Sequence, residues 1–176
     1  MPSRIFIRKP VEADWTALLA LHQRSQILHF PWASPSCTEA GCREYIQRCQ
    51  QDTFEGLLIC QKQTQQIVGV ANLSQIFYGA FQNAYLGYYV DANFARQGFM
   101  TEGLHLVIDH AFFTLHLHRL EANIQPQNIS SLHLVQRLGF RKEGYSPRYL
   151  KIAGQWRDHE RWALTVEDWT PEPDAN

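Results

Sequence analysis

The stretch that most constrains this chain runs from Ala84 to Leu117. An apolar run, AYLGYYVDA, passes through NFARQG into FMTEGLHLVIDHAFFTLHL, where Leu104, Val107, Ile108, Ala111, Phe112 and Leu115 recur at intervals of three and four. That spacing predicts a helix with one apolar stripe, and the run before it predicts a strand. A strand therefore turns into a long helix through a loop holding one glycine, Gly98. The first turn of such a helix offers unpaired N–H groups at the positive end of the helix dipole. Arg96, Gln97, Gly98, Phe99, Met100 and Thr101 thus form a candidate anion site, phosphate being the commonest occupant. Neither G-x-G-x-x-G nor G-x-x-x-x-G-K-[ST] is present, so this corner is not a dinucleotide turn or a P-loop.

The rest of the chain alternates strands and helices around that corner. RIFIR reads as a strand, and VEADWTALLALHQRS as a helix with Trp15, Leu18, Leu19 and His22 on one face. HFPWASPS breaks the pattern around Trp32, and TEAGCREYIQRCQQ is a second helix that Thr38 can cap. GLLICQK, QIVGVANLSQIF and NAYLGYYVDA predict three consecutive strands in an antiparallel meander. HRLEANIQ returns as a strand, and PQNISSLHLVQRLGF is a short helix with Asn128 as its cap and Gly139 as its stop. The last strands form a hairpin turning near Ala153 and Gly154. The expectation is one mixed α/β (α+β) domain over 1–170, with 171–176 as a flexible tail.

Charge and cysteine usage narrow the partners. With 16 Lys and Arg against 17 Asp and Glu, no global field draws the protein to nucleic acid or to an anionic membrane. No stretch reaches membrane-spanning length. Cys37, Cys42, Cys49 and Cys60 match no zinc spacing, and no secretory signal favours disulfides, so they read as reduced thiols of a cytoplasmic protein. His116 and His118 lack a third ligand nearby and read as solvated residues at a helix end, so no metal is expected.

These residues resemble the coenzyme A site of the GNAT superfamily of N-acetyltransferases, and within it the Rim-type ribosomal-protein N-terminal acetyltransferases, the alanine-specific kind above all. The resemblance spans nearly the whole chain. It rests on FPW (30–32), IVGVANLSQ (67–75), YLGY (85–88), QGFMTE (97–102), PQNISS, RLGFRKEGY (137–145), GQWRDH (154–159) and DWTP (168–171). It implies a twisted, mostly antiparallel sheet of six to seven strands with about four helices, splayed at the central strands. Acetyl-CoA would be the co-substrate, its pantetheine lying along Tyr89 and Val90 and its pyrophosphate on the amides of Arg96 to Thr101. Asn128 would bond the pantetheine, and Ser131 would lie near the sulfur. The family loop usually opens with Gln or Arg where this chain has Ala95.

The same resemblance implies direct attack of an amine on the thioester. Many relatives carry a tyrosine acid at the position of Val135, which leaves Ser131 as the candidate donor. Where some use a glutamate base this chain has Asn123, with Glu121 two residues earlier on the same strand face and Tyr85 as another water-relay candidate. Trp32, Tyr78, Tyr85 and Asn123, with Trp156 and Arg157, would surround the acceptor, while an ion pair between Arg157 and Asp158 would brace the last hairpin. The expected acceptor is a protein N-terminal α-amine, that of a ribosomal protein among them, on a monomer or homodimer. A small-molecule amine, such as a polyamine or antibiotic, is the alternative acceptor. A non-catalytic acetyl-CoA sensor is the second alternative.

Overall fold

The computed structural model describes residues 3–171. The expected tail over 171–176 therefore lies, but for its first residue, outside the described residues. The strands are β1 (Ile5–Arg8), β2 (Phe54–Gln61), β3 (Ile67–Phe77), β4 (Asn83–Val90), β5 (Arg119–Ile124), β6 (Arg141–Ile152) and β7 (Gln155–Thr165). They form one sheet in the order β1-β2-β3-β4-β5-β7-β6, antiparallel throughout except where β4 meets β5. Four helices cover it: α1 (Trp15–His29), α2 (Glu39–Arg48), α3 (Phe99–Asp109) and α4 (Ile129–Arg137). The mixed, mostly antiparallel fold expected from the sequence is the one observed.

Side-chain alternation sends the strands into two separate cores. Leu57 and Ile59 of β2 pack with Leu104, Val107 and Ile108 of α3 and Val135 of α4. Leu58 and Cys60 face the other way, against Leu18 and Leu21 of α1 and Cys42 and Ile46 of α2. β2 is buried on both faces, which accounts for its unbroken apolar run. Gly103 lets α3 lie close on the sheet, since a Cβ there would stand 2.6 Å from Ile59 Cδ1.

Caps and breaks follow local chemistry. Thr38 Oγ1 accepts from Gly41 N–H (3.1 Å) at the start of α2, and Asn128 caps α4. α1 runs on to His29, beyond the stretch its apolar periodicity marks, and stops where the Phe30–Pro31 peptide turns the chain. The helix expected through Leu115 is α-helical only to Asp109. It widens into a π-turn over His110–Thr114, with Leu115 N–H bonding His110 O (3.0 Å). The apolar spacing continues across that turn, so it gives no sign of the change.

The last hairpin is braced differently from expectation. Asp158 accepts from Arg148 N–H (2.7 Å) and from the Tyr145 hydroxyl, and it makes no ion pair with Arg157, whose Nε is buried without a partner. A backbone N–H and a phenol already fill the carboxylate that the guanidinium was expected to engage.

At the π-turn, His110 Nε2 lies 2.5 Å from Glu55 Oε1 and Lys9 Nζ 3.4 Å from Oε2. His110 chiefly, with Lys9, holds the buried Glu55 carboxyl below its ordinary value despite burial. A depressed carboxylate contributes stability that is present above its unfolded pKa and lost as pH falls through the folded value. Glu55→Gln should therefore lower stability at pH 7 by about 1–3 kcal/mol and flatten the acid limb of the stability–pH curve. Urea unfolding across the acid range measures both, and an unchanged acid limb would contradict this role for Glu55.

Candidate functional site

The site begins where the sheet opens. β4 and β5 pair in parallel only from Asn83–Arg119 to Tyr85–Glu121, although both strands continue beyond. Asp91 N–H turns back to Val68 O (2.9 Å), whereas Val90 C=O points away and accepts from His29 Nε2 (2.7 Å). By strand alternation the Leu86 carbonyl and the backbone groups of Tyr88 and Val90 face the opening, and those of Tyr89 face β3. The stretch is therefore an unpaired strand edge inside the molecule, able to hydrogen-bond an extended amide-bearing ligand.

One end of the opening is a cavity of about 440 Å³. Its walls include Trp32, Tyr88, Tyr89, Val90, Arg96, Gly98, Phe99, Met100, Thr101, Asn128 and Ser131. Gly98 caps α3 at φ 84°, and the first intrahelical bond is Glu102 N–H to Gly98 O (3.2 Å). The amides before Glu102 thus stand free at the helix start. Among the described residues, Arg96, His133 and Arg137 also line this cavity and no carboxylate does, so its field suits phosphate. Gln97 faces elsewhere: its side chain bonds Asn93 O (2.9 Å) and its carbonyl accepts from Arg4 (2.9 Å).

The loop's shape is held from outside the cavity. Asp91, fully buried, is gripped by Arg24 of α1 through Nε (2.9 Å) and Nη2, and it accepts from Asn93 N–H (3.0 Å). Ser25 Oγ takes Ala92 N–H (3.0 Å). Arg4 lies 4.3 Å over the Phe99 ring and pairs with Glu102. Ala95 lines neither cavity, which fits a site built on the amides of the residues that follow it.

A second cavity of about 520 Å³ lies behind the first and shares Trp32, Ala33, Tyr88, Tyr89, Asn128 and Ser131 with it. Its other walls include His22, Tyr45, Arg48, Asn72, Asn123, Gln125 and His159. Among the described residues, no Asp or Glu lines it. His22 is engaged at both ring nitrogens, Nδ1 with Ser36 O (2.7 Å) and Nε2 with the Tyr89 hydroxyl (2.9 Å). Since the Ser36 carbonyl only accepts, Nδ1 carries the proton and Nε2 accepts from Tyr89. Burial lowers the pKa of His22 and of His159 and raises that of Tyr89, so all three favour their neutral forms.

At the junction, Asn128 Oδ1 accepts from Ser131 N–H (3.3 Å), leaving the Asn128 amide NH₂ for a ligand. Ser131 Oγ lies 2.5 Å from the Tyr88 hydroxyl. The serine is thus not consumed by its own helix.

The structure brings together Trp32, Tyr89, Val90, Arg96, Gly98 to Thr101, Asn123, Asn128 and Ser131 at these cavities. It places Tyr85, Tyr78, Trp156 and Glu121 elsewhere. Glu121 is bound by Arg119 Nε (2.9 Å) and lies opposite Tyr85 in the strand register. Tyr85 lines neither cavity, and burial first, then the Glu121 charge, raises its pKa. Tyr78 and Trp156 are exposed at hairpin ends. Sequence reasoning missed Tyr88, Arg48, Tyr45, His133, Arg137 and His159. Of these, Tyr88 was in reach, because strand alternation puts its side chain opposite that of Tyr89.

A sheet opened between two parallel strands beside a phosphate-ready helix start is the architecture of coenzyme A-dependent N-acetyltransferases. The acetyltransferase (GNAT) domain matches residues 4–141, and the chain belongs to that family. It is 48% identical over 106 residues to the [ribosomal protein uS5]-alanine N-acetyltransferase of Escherichia coli (strain K12), a match covering 60% of this chain and 55% of that one. The chain thus spans about half the length of that relative. Mycobacterium smegmatis RimJ, solved in complex with CoA-disulfide, superimposes with a TM-score of 0.86 at 27% identity, covering 97% of this chain and 86% of that one. Spermidine N-acetyltransferase from Vibrio cholerae, in complex with CoA and spermine, shares the fold at a TM-score of 0.81 and 18% identity, over 94% and 98% of the two chains. GNAT acetyltransferases use acetyl-CoA.

At about a hundredfold over its Kd, acetyl-CoA should stabilise the protein by roughly 2.7 kcal/mol, visible as a rise in Tm. Gly98→Val should abolish that rise, because a β-branched residue is strained at this positive φ and moves the amides. An equal rise in the variant would remove Gly98 from the site.

Proposed function

We propose that the protein transfers acetyl from acetyl-CoA to the N-terminal α-amine of a protein, of the ribosomal-protein-alanine kind. The observation that carries this is the second cavity. It meets the coenzyme cavity at Tyr88, Tyr89, Asn128 and Ser131, yet among the described residues it holds Arg48 and no carboxylate. A polyamine carries several positive charges and binds where acids neutralise them, so this cavity opposes the polyamine alternative. The likeness to the Escherichia coli enzyme supports a ribosomal-protein acceptor.

In this reading the pantetheine lies along Leu86 to Val90, the Asn128 amide donates to it, and the amides from Gly98 to Thr101 take the pyrophosphate. Arg96, His133 and Arg137 add positive charge there. The thioester carbonyl sits at the shared walls, where a strand-edge N–H from β4 stabilises the oxyanion as the amine attacks. Ser131 hydrogen-bonds the departing sulfur. A coenzyme thiol near its ordinary pKa of about 8.5 leaves readily, so the chemistry asks for little acid assistance.

The amine supplies the rest of the argument. An α-amine with a pKa of about 7.7–8.0 is roughly one third neutral near pH 7.5, whereas a lysine at about 10.4 is neutral about one time in a thousand. Freeing the lysine costs on the order of 4 kcal/mol, which a nearby carboxylate would have to offset. The cavity has Asn123 and Gln125 in place of one, and Glu121 is neutralised by Arg119 outside it. The proton lost after attack passes to water. Trp32 at the junction narrows the entrance and favours a small first residue. No metal takes part in this scheme, and the four free cysteines fit a cytoplasmic setting.

The test is a pair of peptides that begin with alanine and contain an internal lysine, one with a free and one with a blocked N-terminus, alongside spermidine. Mass spectrometry should find acetyl only on the free peptide, at its terminal nitrogen. kcat/KM should rise with pH through the α-amine pKa of about 7.7–8.0 and then level off. Comparable transfer to the blocked peptide's lysine, or faster transfer to spermidine, would overturn the acceptor assignment.

A further inference from the structure

Tyr88 makes a contact that the acetyl-transfer reading does not yet use. Its ring packs against the main core from β4, and its hydroxyl lies 2.5 Å from Ser131 Oγ and 3.4 Å from the Ser131 carbonyl oxygen. A phenol has a single hydrogen and is a stronger acid than an aliphatic hydroxyl, so that hydrogen is assigned to the nearer oxygen, Ser131 Oγ, and not to the carbonyl. Ser131 is fixed in turn by its N–H bond to Asn128 Oδ1 (3.3 Å) in the first turn of α4. Once Oγ accepts from Tyr88, its own hydrogen is free to turn into the cavity that both residues line. A hydroxyl that accepts one hydrogen bond is polarised into a better donor of the next. Burial pushes the Tyr88 phenol up to about 12, so it keeps its proton at neutral pH.

We propose that Tyr88 is a positioning residue for acetyl transfer: by donating to Ser131 Oγ it aims the Ser131 hydrogen at the coenzyme sulfur. The proposal rests on the transfer reading above and assigns a phenol to support the step where helix α4 carries Val135. As the amine nitrogen bonds the carbonyl carbon, the C–S bond breaks and its electron pair goes to sulfur. The thiolate is held by the Ser131 hydrogen bond, the nitrogen gives its extra proton to water, and the sulfur takes its proton from water. Neither Tyr88 nor Ser131 is consumed. Tyr88 can be lost as a donor without losing its ring, which makes the role separable from packing.

The experiment compares Tyr88→Phe, Ser131→Ala and the double variant with acetyl-CoA and an alanine-first peptide. Each single change should lower kcat by about tenfold to a hundredfold, at or below the low end for acid assistance, with the KM for acetyl-CoA little changed. The double variant should be no slower than Ser131→Ala, because the two hydroxyls act through one hydrogen bond. Coenzyme A bound to the parent should ionise at lower pH than when bound to either variant, read by thiolate absorbance. Tm and the acetyl-CoA-induced rise in Tm check that Tyr88→Phe is folded and binds. Parent-level kcat in Tyr88→Phe would overturn this proposal alone, as would a Tyr88→Phe loss that persists undiminished without Ser131. A parent protein that acetylates no amine would overturn the transfer reading and this proposal together.

Discussion

The rest of the site depends on the loss of hydrogen bonding between β4 and β5. Pairing ends at Tyr85 and Glu121, and beyond that point two strands of one sheet part company. Buried backbone groups left unpaired are costly, so such an edge needs partners. One carbonyl, that of Val90, is taken by His29. The Leu86 carbonyl and the groups of Tyr88 remain for a ligand, and both cavities form along that edge. The geometry of catalysis is thus a property of the sheet, and side chains such as Ser131 refine it.

An opening in a sheet has to be held apart. Arg24 and the buried Asp91 tie the end of β4 to α1, and Ser25 fastens the next residue. Losing the guanidinium would leave a buried carboxylate uncompensated, a defect worth about 3–5 kcal/mol. On the far side, Arg119 joins Glu121 and Glu143, locking the start of β5 to the last hairpin. These charged clamps flank the opening without entering either cavity. Among the described residues, the cavities themselves hold arginine, histidine, hydroxyl and amide groups and no carboxylate. Acidic groups therefore serve the scaffold, and the cavities keep a field suited to an anionic coenzyme.

Much of this was legible from local patterns. The α3 stripe, the β2–β4 meander, the caps at Thr38 and Asn128 and the phosphate corner at Gly98 all follow from interactions within a few residues. What escaped depends on side-chain direction, on backbone register or on partners distant in sequence. The capture of Glu121 by Arg119 requires knowing that the guanidinium folds back along its own strand, and the placing of Tyr85 outside the cavities requires the sheet twist. The Tyr88–Ser131 contact joins positions 43 residues apart. The π-turn at His110 shifts the backbone register while keeping the apolar spacing, so periodicity gives no warning of it. Asp158 was expected to seek its charged neighbour and instead found a backbone N–H across the hairpin.

The central claim, that the coenzyme completes the unpaired edge of β4, is tested most directly by amide hydrogen exchange with and without coenzyme A. Binding should slow exchange at Tyr88 and Val90 and at Gly98 to Thr101, while Leu86, paired with β5, and Tyr89, already facing β3, change little. Protection confined to the Gly98 loop, with β4 exchanging as before, would mean that the opening does not receive the pantetheine and would contradict this account.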